Sequence, residues 1–206
     1  MFIRNYLWNS QLSKLFMQRL GALLTAVLML VACSPKLDWR TVQSPQEGYN
    51  ALFPGKPEKM DRRLPYEGQE IPQSLEAVKI DDDIYSVSTV TLSKDQIPLQ
   101  AKFLEQMQDN LFKRANVDSQ ADVSVDAFYQ TIGRQKLPTK DYFLEFASTG
   151  ASEQSMRVRW ITRAAADGGI RIYQISVLHT APARVEAKKF FLEEMYANFF
   201  DEFHPE

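Results

Sequence analysis

Two histidines, His179 and His204, are the only side chains in the sequence whose ordinary pKa lies near neutrality, so they are the first candidates for acid–base chemistry. A catalytic or metal-binding histidine needs a nucleophile or a second ligand that the fold places beside it. Ser176 and Asp201 are nearby residues of suitable type, but no Gly-x-Ser-x-Gly motif is present. The sequence therefore predicts no catalytic residue and no enzyme activity.

Three arginines have the spacing of an anion-binding group: Arg157, Arg159 and Arg163. They alternate with Met156, Val158 and Trp160, so we expect a strand with one covered face and one face in water. Guanidinium groups on the wet face are suited to bind phosphate or carboxylate. Glu145 and Glu153 are candidates to neutralise them, which leaves an ionic ladder across neighbouring strands as the alternative.

A run of three acids, Asp81-Asp82-Asp83, has the oxygen ligands that calcium prefers. A calcium loop, however, spreads its ligands over about a dozen residues and places a glycine at the bend. The run has neither feature. We therefore predict a solvated hairpin turn here, and the sequence indicates no metal site and no cofactor.

The single cysteine, Cys33, follows an uncharged, mainly apolar run over residues 21–32. This run is too short to span a bilayer, and the charges before Cys33 are all positive, as in a signal peptide. Leu30-Val31-Ala32-Cys33 resembles the lipobox of bacterial lipoproteins. The resemblance implies cleavage after Ala32, diacylglycerol on the Cys33 thiol and acylation of the new amine. A buried N-terminal helix with an incidental cysteine is the alternative.

These features divide the chain into a signal peptide at 1–32, a lipidated tether at 33–36 and one domain at 37–206. Met17 is an alternative start that would give a signal of ordinary length. Cleavage would leave 174 of the 206 residues and a net charge of −5 rather than −2, because the leader carries three cations and no anion. Without another cysteine, the domain must depend on a packed core for its stability.

The charge balance and the lipid together indicate where the protein acts. A mildly acidic chain without a basic run argues against nucleic acid as a partner. Ser34 after the cysteine resembles the signal for sorting to the outer membrane. We therefore expect a protein held to the outer membrane by its N-terminal lipid and facing the periplasm.

Short periodic segments separated by turn residues predict most of the secondary structure. The predicted strands lie at 38–42, 49–53, 58–64, 75–80, 84–92, 123–132, 141–148, 156–163 and 170–179. The polar stretch 65–72 is predicted as a turn. Because the strands do not alternate with helices, we expect an α+β fold with a mainly antiparallel sheet.

Two amphipathic helices are predicted to pack on this sheet. The first is capped by Asp95 and presents one apolar face: Phe103, Leu104, Met107, Leu111 and Ala115. The second covers 184–203 and carries a wide apolar stripe: Phe191, Leu192, Met195, Tyr196, Phe199, Phe200 and Phe203.

The segment Tyr49-Asn50-Ala51-Leu52-Phe53-Pro54-Gly55-Lys56-Pro57 resembles the opening of PsbP-like bacterial envelope proteins, an aromatic strand followed by Pro-x-x-Pro. The order of the helices is also similar to that α/β/α sandwich family. The resemblance implies a largely non-catalytic protein that binds partners or assists assembly, without a fixed catalytic set.

Side chains that could dock a protein partner lie in two places. The loop after residue 53 offers Phe53, Pro54, Lys56 and Met60, and Phe190 points away from the stripe of the last predicted helix. We expect a non-enzymatic binding or assembly module of the envelope with an unidentified protein partner. The alternatives are a binder of a small anionic or amphipathic ligand in a cleft between sheet and helix, and an envelope hydrolase.

Overall fold

Long antiparallel strands form the centre of the molecule. The structure is a computed structural model that describes residues 37–117, 120–146, 153–182 and 185–206; Cys33 and the predicted leader lie outside these residues. The strands are β1 (Arg40–Ser44), β2 (Tyr49–Phe53), β3 (Glu58–Tyr66), β4 (Gln69–Ile80), β5 (Asp83–Leu92), β6 (Ser124–Gln130), β7 (Lys136–Phe146), β8 (Gln154–Ala164), β9 (Ile170–His179) and β10 (His204–Pro205).

Seven of these strands form one sheet in the order β3-β4-β5-β9-β8-β7-β6, and all its neighbouring pairs are antiparallel. β1, β2 and β10 form a smaller antiparallel sheet. The helices are α1 (Gln100–Arg114), α2 (Gln120–Val123), α3 (Ala187–Phe191) and α4 (Glu194–Asp201). The prediction of an α+β fold with a mainly antiparallel sheet is confirmed.

The predicted turn over 65–72 is much shorter in the structure. Glu67 and Gly68 have φ of 48° and 76°, the left-handed conformation that a two-residue hairpin turn requires, and β4 begins immediately afterwards. Pro72 lies inside β4. The pairing of β4 with β5 ends at Gln73, one residue away, so the missing N–H of Pro72 costs no hydrogen bond to β5.

The two faces of the large sheet have separate covers. Because side chains alternate along each strand, β8 directs Arg157, Arg159 and Ile161 to one face and Val158 and Trp160 to the other. We call the first the Arg face and the second the Trp face. The small sheet and helices α3 and α4 cover the Arg face, and α1 covers the Trp face.

Helix α1 packs on the Trp face through the residues that its periodicity predicts. Phe103, Leu104 and Met107 contact the sheet beside Ile172, while Leu111 and Ala115 lie in the cluster around Trp160. The start of the helix differs from the prediction. A 3₁₀ helix, Lys94–Leu99, precedes α1, and its cap is Ser93 rather than Asp95, with the Ser93 N–H donating to Gln96 Oε1. No helix in the described ranges is long and apolar enough to cross a membrane.

The predicted single helix over 184–203 is wrong. The chain leaves helical geometry after α3, where Glu193 is extended (φ −61°, ψ 146°), and then starts α4. Both helices still cover the Arg face, because Phe191, Tyr196, Phe199, Phe200 and Phe203 are buried there. Leu192, at the break, is exposed. The apolar pattern therefore predicts the buried face but not the break.

Candidate functional site

The arginines predicted on a wet face lie in the interior. Arg157 and Arg159 are only 4% and 1% exposed. They share the buried carboxylate of Asp141, which lies opposite Arg159 in the pairing of β7 with β8. Arg159 Nε and Nη2 donate to Asp141 Oδ1 and Oδ2 at 2.6 and 2.9 Å, and Arg157 Nη2 donates to Oδ2 at 2.6 Å. The prediction of a solvent-facing ionic ladder or anion clamp is therefore wrong for these two residues.

The same two guanidinium groups also hold the C-terminal helices. Arg157 Nη1 donates to the carbonyl of Phe191 at 3.0 Å, and Arg159 Nη1 donates to the carbonyl of Phe200 at 2.8 Å. Phe191 is the last residue of α3, and Phe200 lies in the last turn of α4. Cationic donors at helix C-termini satisfy carbonyls that lack an intrahelical partner and oppose the helix dipole. Arg157 thus binds the end of α3 at the point where the predicted single helix breaks.

Aromatic packing completes this cluster. Arg157 Cζ lies 4.0 Å from the centre of the Phe200 ring and Arg159 Cζ lies 5.4 Å from it. Burial lowers the pKa of Arg157, and the charge of Asp141 opposes this effect. Each guanidinium group donates to Asp141 and to a backbone carbonyl, while Arg157 Nε is buried without a partner among the described residues. Because both groups are buried, the cluster is a structural centre and is closed to a soluble anion.

The third arginine and the predicted acidic partners lie elsewhere. Arg163 is half-buried, and its Nε donates to the carbonyl of Glu206 at 2.8 Å, so it does not join the buried pair. Glu145 accepts a hydrogen bond from the N–H of Ala187 at 3.0 Å. Glu153 is exposed. The anion clamp predicted from the three arginines is therefore not assembled.

The predicted docking residues are also divided. Phe53 is completely buried against Phe199 and Pro54 is buried, so neither can dock a partner on the surface. Lys56 is exposed, and Met60 is 62% exposed on the edge strand β3. Of the residues predicted for docking in this loop, Lys56 and Met60 are therefore accessible, whereas Phe53 and Pro54 belong to the core.

Phe190 belongs to an aromatic cluster rather than to a free surface. Its ring centre lies 4.6 Å from that of His179, 5.0 Å from that of Phe191 and 4.9 Å from that of Tyr196. The side chain is half-buried. Because Phe191 and Tyr196 belong to the predicted apolar stripe, Phe190 packs against that stripe instead of pointing away from it.

His179 lies in a row of polar residues across the sheet. It is paired with Asp83 on β5 and with Ser155 on β8, so the three side chains share the Arg face. His179 Nδ1 is 2.7 Å from Asp83 Oδ1, and the Tyr196 hydroxyl donates to Asp83 Oδ2 at 2.9 Å. Burial and the charge of Asp83 raise the pKa of Tyr196. Asp83 is thus buried and bonded, unlike the solvated turn that we predicted for the Asp81-Asp82-Asp83 run.

The row stops short of an aligned catalytic triad. Ser155 is buried, and its Oγ has no hydrogen-bond partner among the described residues. His204, the second histidine, belongs to β10, with its Nδ1 3.0 Å from the carbonyl oxygen of Gln130. Within the described ranges, no three His, Cys, Asp or Glu side chains come together as metal ligands.

A cleft of about 850 Å³ opens where the ends of β7 and β8 meet the start of α3. Its apolar lining residues are Ala115, Val117, Val123, Val125, Phe143, Phe146, Val185 and Ala187. Its polar lining residues are Asn116, Asp122, Ser124, Glu145, Glu153, Gln154, Ser155, Glu186 and Lys188. Four of the five charged residues described in the lining are carboxylates, so the cleft is acidic as well as partly apolar.

Helix α3 forms one wall of this cleft and is held at both ends. Glu145 Oε1 accepts the N–H of Ala187, its first residue, while Arg157 donates to the carbonyl of Phe191, its last. A helix of five residues cannot be stable by itself, since isolated helices shorter than about 12 residues are marginal in water. The buried arginine cluster therefore positions the cleft without lining it.

Comparison with known proteins adds no relative: no protein-family model matches the chain, and no curated protein matches its sequence. Sequence reasoning missed the cleft, because its lining residues come from five separate segments without a shared motif. The sequence analysis assigns Glu145 and Glu153 only as partners for the arginines. The one sequence signal of an acidic cleft is that these two residues lie on either side of the connection between the predicted strands at 141–148 and 156–163.

Proposed function

We propose that this protein is a non-enzymatic binding module, anchored in the bacterial outer membrane by lipid on Cys33, that holds an amphipathic ligand in the cleft beside α3. The lipobox resemblance supports the anchor and the localisation. The antiparallel sheet between helical layers is compatible with a PsbP-like sandwich, which we propose as its fold family. Binding or assembly is the role that this resemblance implies.

The size and lining of the cleft are the main support for the binding role. Ligand sites are typically concave, about 300–1,000 Å³ in volume, and combine apolar walls with a few converging polar groups. The cleft has this size and this lining. By contrast, Phe53 and Pro54, the apolar residues of the loop predicted for protein docking, are buried. The ligand-binding alternative is therefore the better supported one.

A hydrolase is the second candidate, because Ser155, His179 and Asp83 lie side by side on three neighbouring strands. Their order is that of a nucleophile, a base and an orienting acid. The contact of His179 with Asp83 is formed, but the contact of Ser155 with His179 is not. Substitution Ser155→Ala separates the candidates: a hydrolase would lose turnover of an ester substrate completely, whereas the binding module requires no turnover.

Blocking the cleft tests the binding role. Val185 lines the cleft and is exposed, so Val185→Trp should fill it; Leu192→Trp is the matched control, because Leu192 is also exposed but lies outside the lining. We expect Val185→Trp to fail in complementing a deletion strain at equal protein level, and Leu192→Trp to succeed. Full complementation by Val185→Trp would contradict the proposed site.

The anchor is tested separately. Mass spectrometry of the wild-type protein should find lipid on Cys33 as the N-terminal residue, and Cys33→Ser should accumulate as the unprocessed precursor. A wild-type protein without lipid would contradict the anchor and leave the cleft proposal to its own test.

A further inference from the structure

We infer that the ligand of the cleft is an organic cation, an amine attached to an apolar body; this inference rests on the binding role proposed above. The cleft, at about 850 Å³, is more than twice the size of two other cavities of about 370 and 320 Å³. The charge of its described lining is unbalanced, since these residues present four carboxylates and one ammonium group.

The carboxylates of the cleft have no cationic partner among the described residues. Asp122, Glu145, Glu153 and Glu186 form no salt bridge with a lysine or arginine in these ranges. The hydrogen bond of Glu145 to Ala187 uses one carboxylate oxygen, Oε1. Several like charges at one site repel each other, and a cationic ligand would relieve that repulsion.

A buried hydroxyl gives an independent indication of a ligand. Ser155 lies directly opposite Glu145 in the pairing of β7 with β8 and lines the cleft. It is 4% exposed, and its Oγ has no partner among the described residues. A buried polar atom left unpaired is destabilising, and a ligand donor would satisfy it. An ammonium group has donors only, so it can use the Ser155 hydroxyl and the Glu145 carboxylate together as acceptors.

The apolar lining of the cleft indicates that the body of the ligand is apolar. Phe143 and Phe146 line the cleft with Val125 and Val185, so a purely hydrophilic cation would leave these side chains uncovered. Aromatic rings also attract cations through their faces. The described residues do not favour an anion, because Arg157 and Arg159 are buried in their own cluster and Lys188 is the only cation that these residues place in the lining.

Three probes of one shape and different charge test this inference: tryptamine, tryptophol and indolepropionate. Binding is measured by calorimetry on the full chain in nanodiscs of zwitterionic lipid, with empty nanodiscs as the blank. We expect tryptamine to bind at least about threefold more tightly than tryptophol, since exposed charge pairs contribute about 0.2–1 kcal/mol each. Indolepropionate should be the weakest probe.

Two matched pairs of substitutions locate the effect. Glu153→Gln with Glu186→Gln should reduce the preference for tryptamine over tryptophol to near unity. Glu58→Gln with Glu70→Gln removes the same charge from exposed positions outside the cleft and should leave the preference unchanged. Ser155→Ala should weaken tryptamine more than tryptophol.

The outcomes separate the two proposals. Equal binding of all three probes, abolished by Val185→Trp, would overturn the cation and leave the binding role intact. A preference for tryptamine that survives Glu153→Gln with Glu186→Gln would likewise overturn the assignment of these acids. No binding by any probe would count against both proposals.

Discussion

The two faces of the large sheet are covered by different means. On the Trp face, one amphipathic helix of 15 residues packs its apolar side on apolar strand residues, and its sequence alone specifies that packing. On the Arg face, two short helices are held by a buried carboxylate, two buried guanidinium groups and a set of aromatic rings. The comparison shows that short elements need specific polar contacts where a longer helix needs only periodicity. The cleft lies beside the Arg face, which is the face held by specific polar contacts.

Removing the shared carboxylate should produce the largest effect. Asp141→Asn leaves the exposed Asp201 carboxylate, 3.9 Å from Arg159 Nη2, as the one anion beside the two buried guanidinium groups among the described residues. Breaking a buried ion pair costs about 3–5 kcal/mol. Urea unfolding should show this loss, while Asp126→Asn, at an exposed position on β6, should change stability by less than about 0.5 kcal/mol. A small loss for Asp141→Asn would remove the distinction between the two faces.

Alkaline pH should weaken the Arg face next. Burial raises the pKa of Tyr49, Tyr85, Tyr196 and Tyr173, in the last case to about 12. An unfolded tyrosine has a pKa of about 10, so the stabilisation by Tyr173 is complete below that pH and is lost as pH rises through about 12. For Tyr173 alone this amounts to about 2–3 kcal/mol.

Phenolate absorbance measured together with unfolding checks the pH prediction. The buried tyrosines should ionise only as the protein unfolds. Ionisation of every tyrosine near pH 10 in a folded protein would show that the rings of the Arg face are accessible to solvent, contrary to this structure.

A smaller effect should distinguish two phenylalanines on opposite faces. Phe200 lies against two guanidinium groups, whereas Phe103 on the Trp face contacts the ring of Tyr66. Both are buried. Replacement by leucine should cost about 1 kcal/mol more at Phe200 than at Phe103, since the cation–π contacts are lost as well. Equal losses in urea unfolding would show that the stacking contributes nothing.

The smallest effect is expected for Tyr85→Phe. The Tyr85 hydroxyl is buried and has no hydrogen-bond partner within the described ranges, so its removal should leave stability unchanged or slightly raise it. Tyr196→Phe is the matched comparison, because it removes a hydrogen bond to the Asp83 carboxylate and should cost about 1.5–3 kcal/mol. Thermal unfolding of both variants measures the difference.

The parts of this fold that follow local rules could be predicted from sequence. The strands over 49–53 and 170–179 have the predicted bounds, and α1 buries the predicted face, because alternation and helical periodicity are visible within one segment. The C-terminal break at Leu192 and Glu193 could not be predicted, since it depends on Arg157, which is distant in the chain.

The candidate site was less predictable for the same reason. The sequence shows that arginines alternate along a strand, but it does not show which acid lies opposite; that depends on the register of β7 against β8, which places Asp141 there instead of Glu145. Likewise, the row of Asp83, His179 and Ser155 exists only through the pairing of three strands. The pairing of the strands, rather than residue type, determines which of these side chains meet.

The buried cluster of Asp141, Arg157 and Arg159 holds α3 in place as a wall of the cleft. Hydrogen exchange of the Asp141→Asn variant, under conditions where it remains folded, tests this role most directly. We expect backbone amides of α3 and α4 to lose protection, while those of α1 on the Trp face keep it. Unchanged protection in α3, or an equal loss in α1, would show that the cluster does not hold the wall.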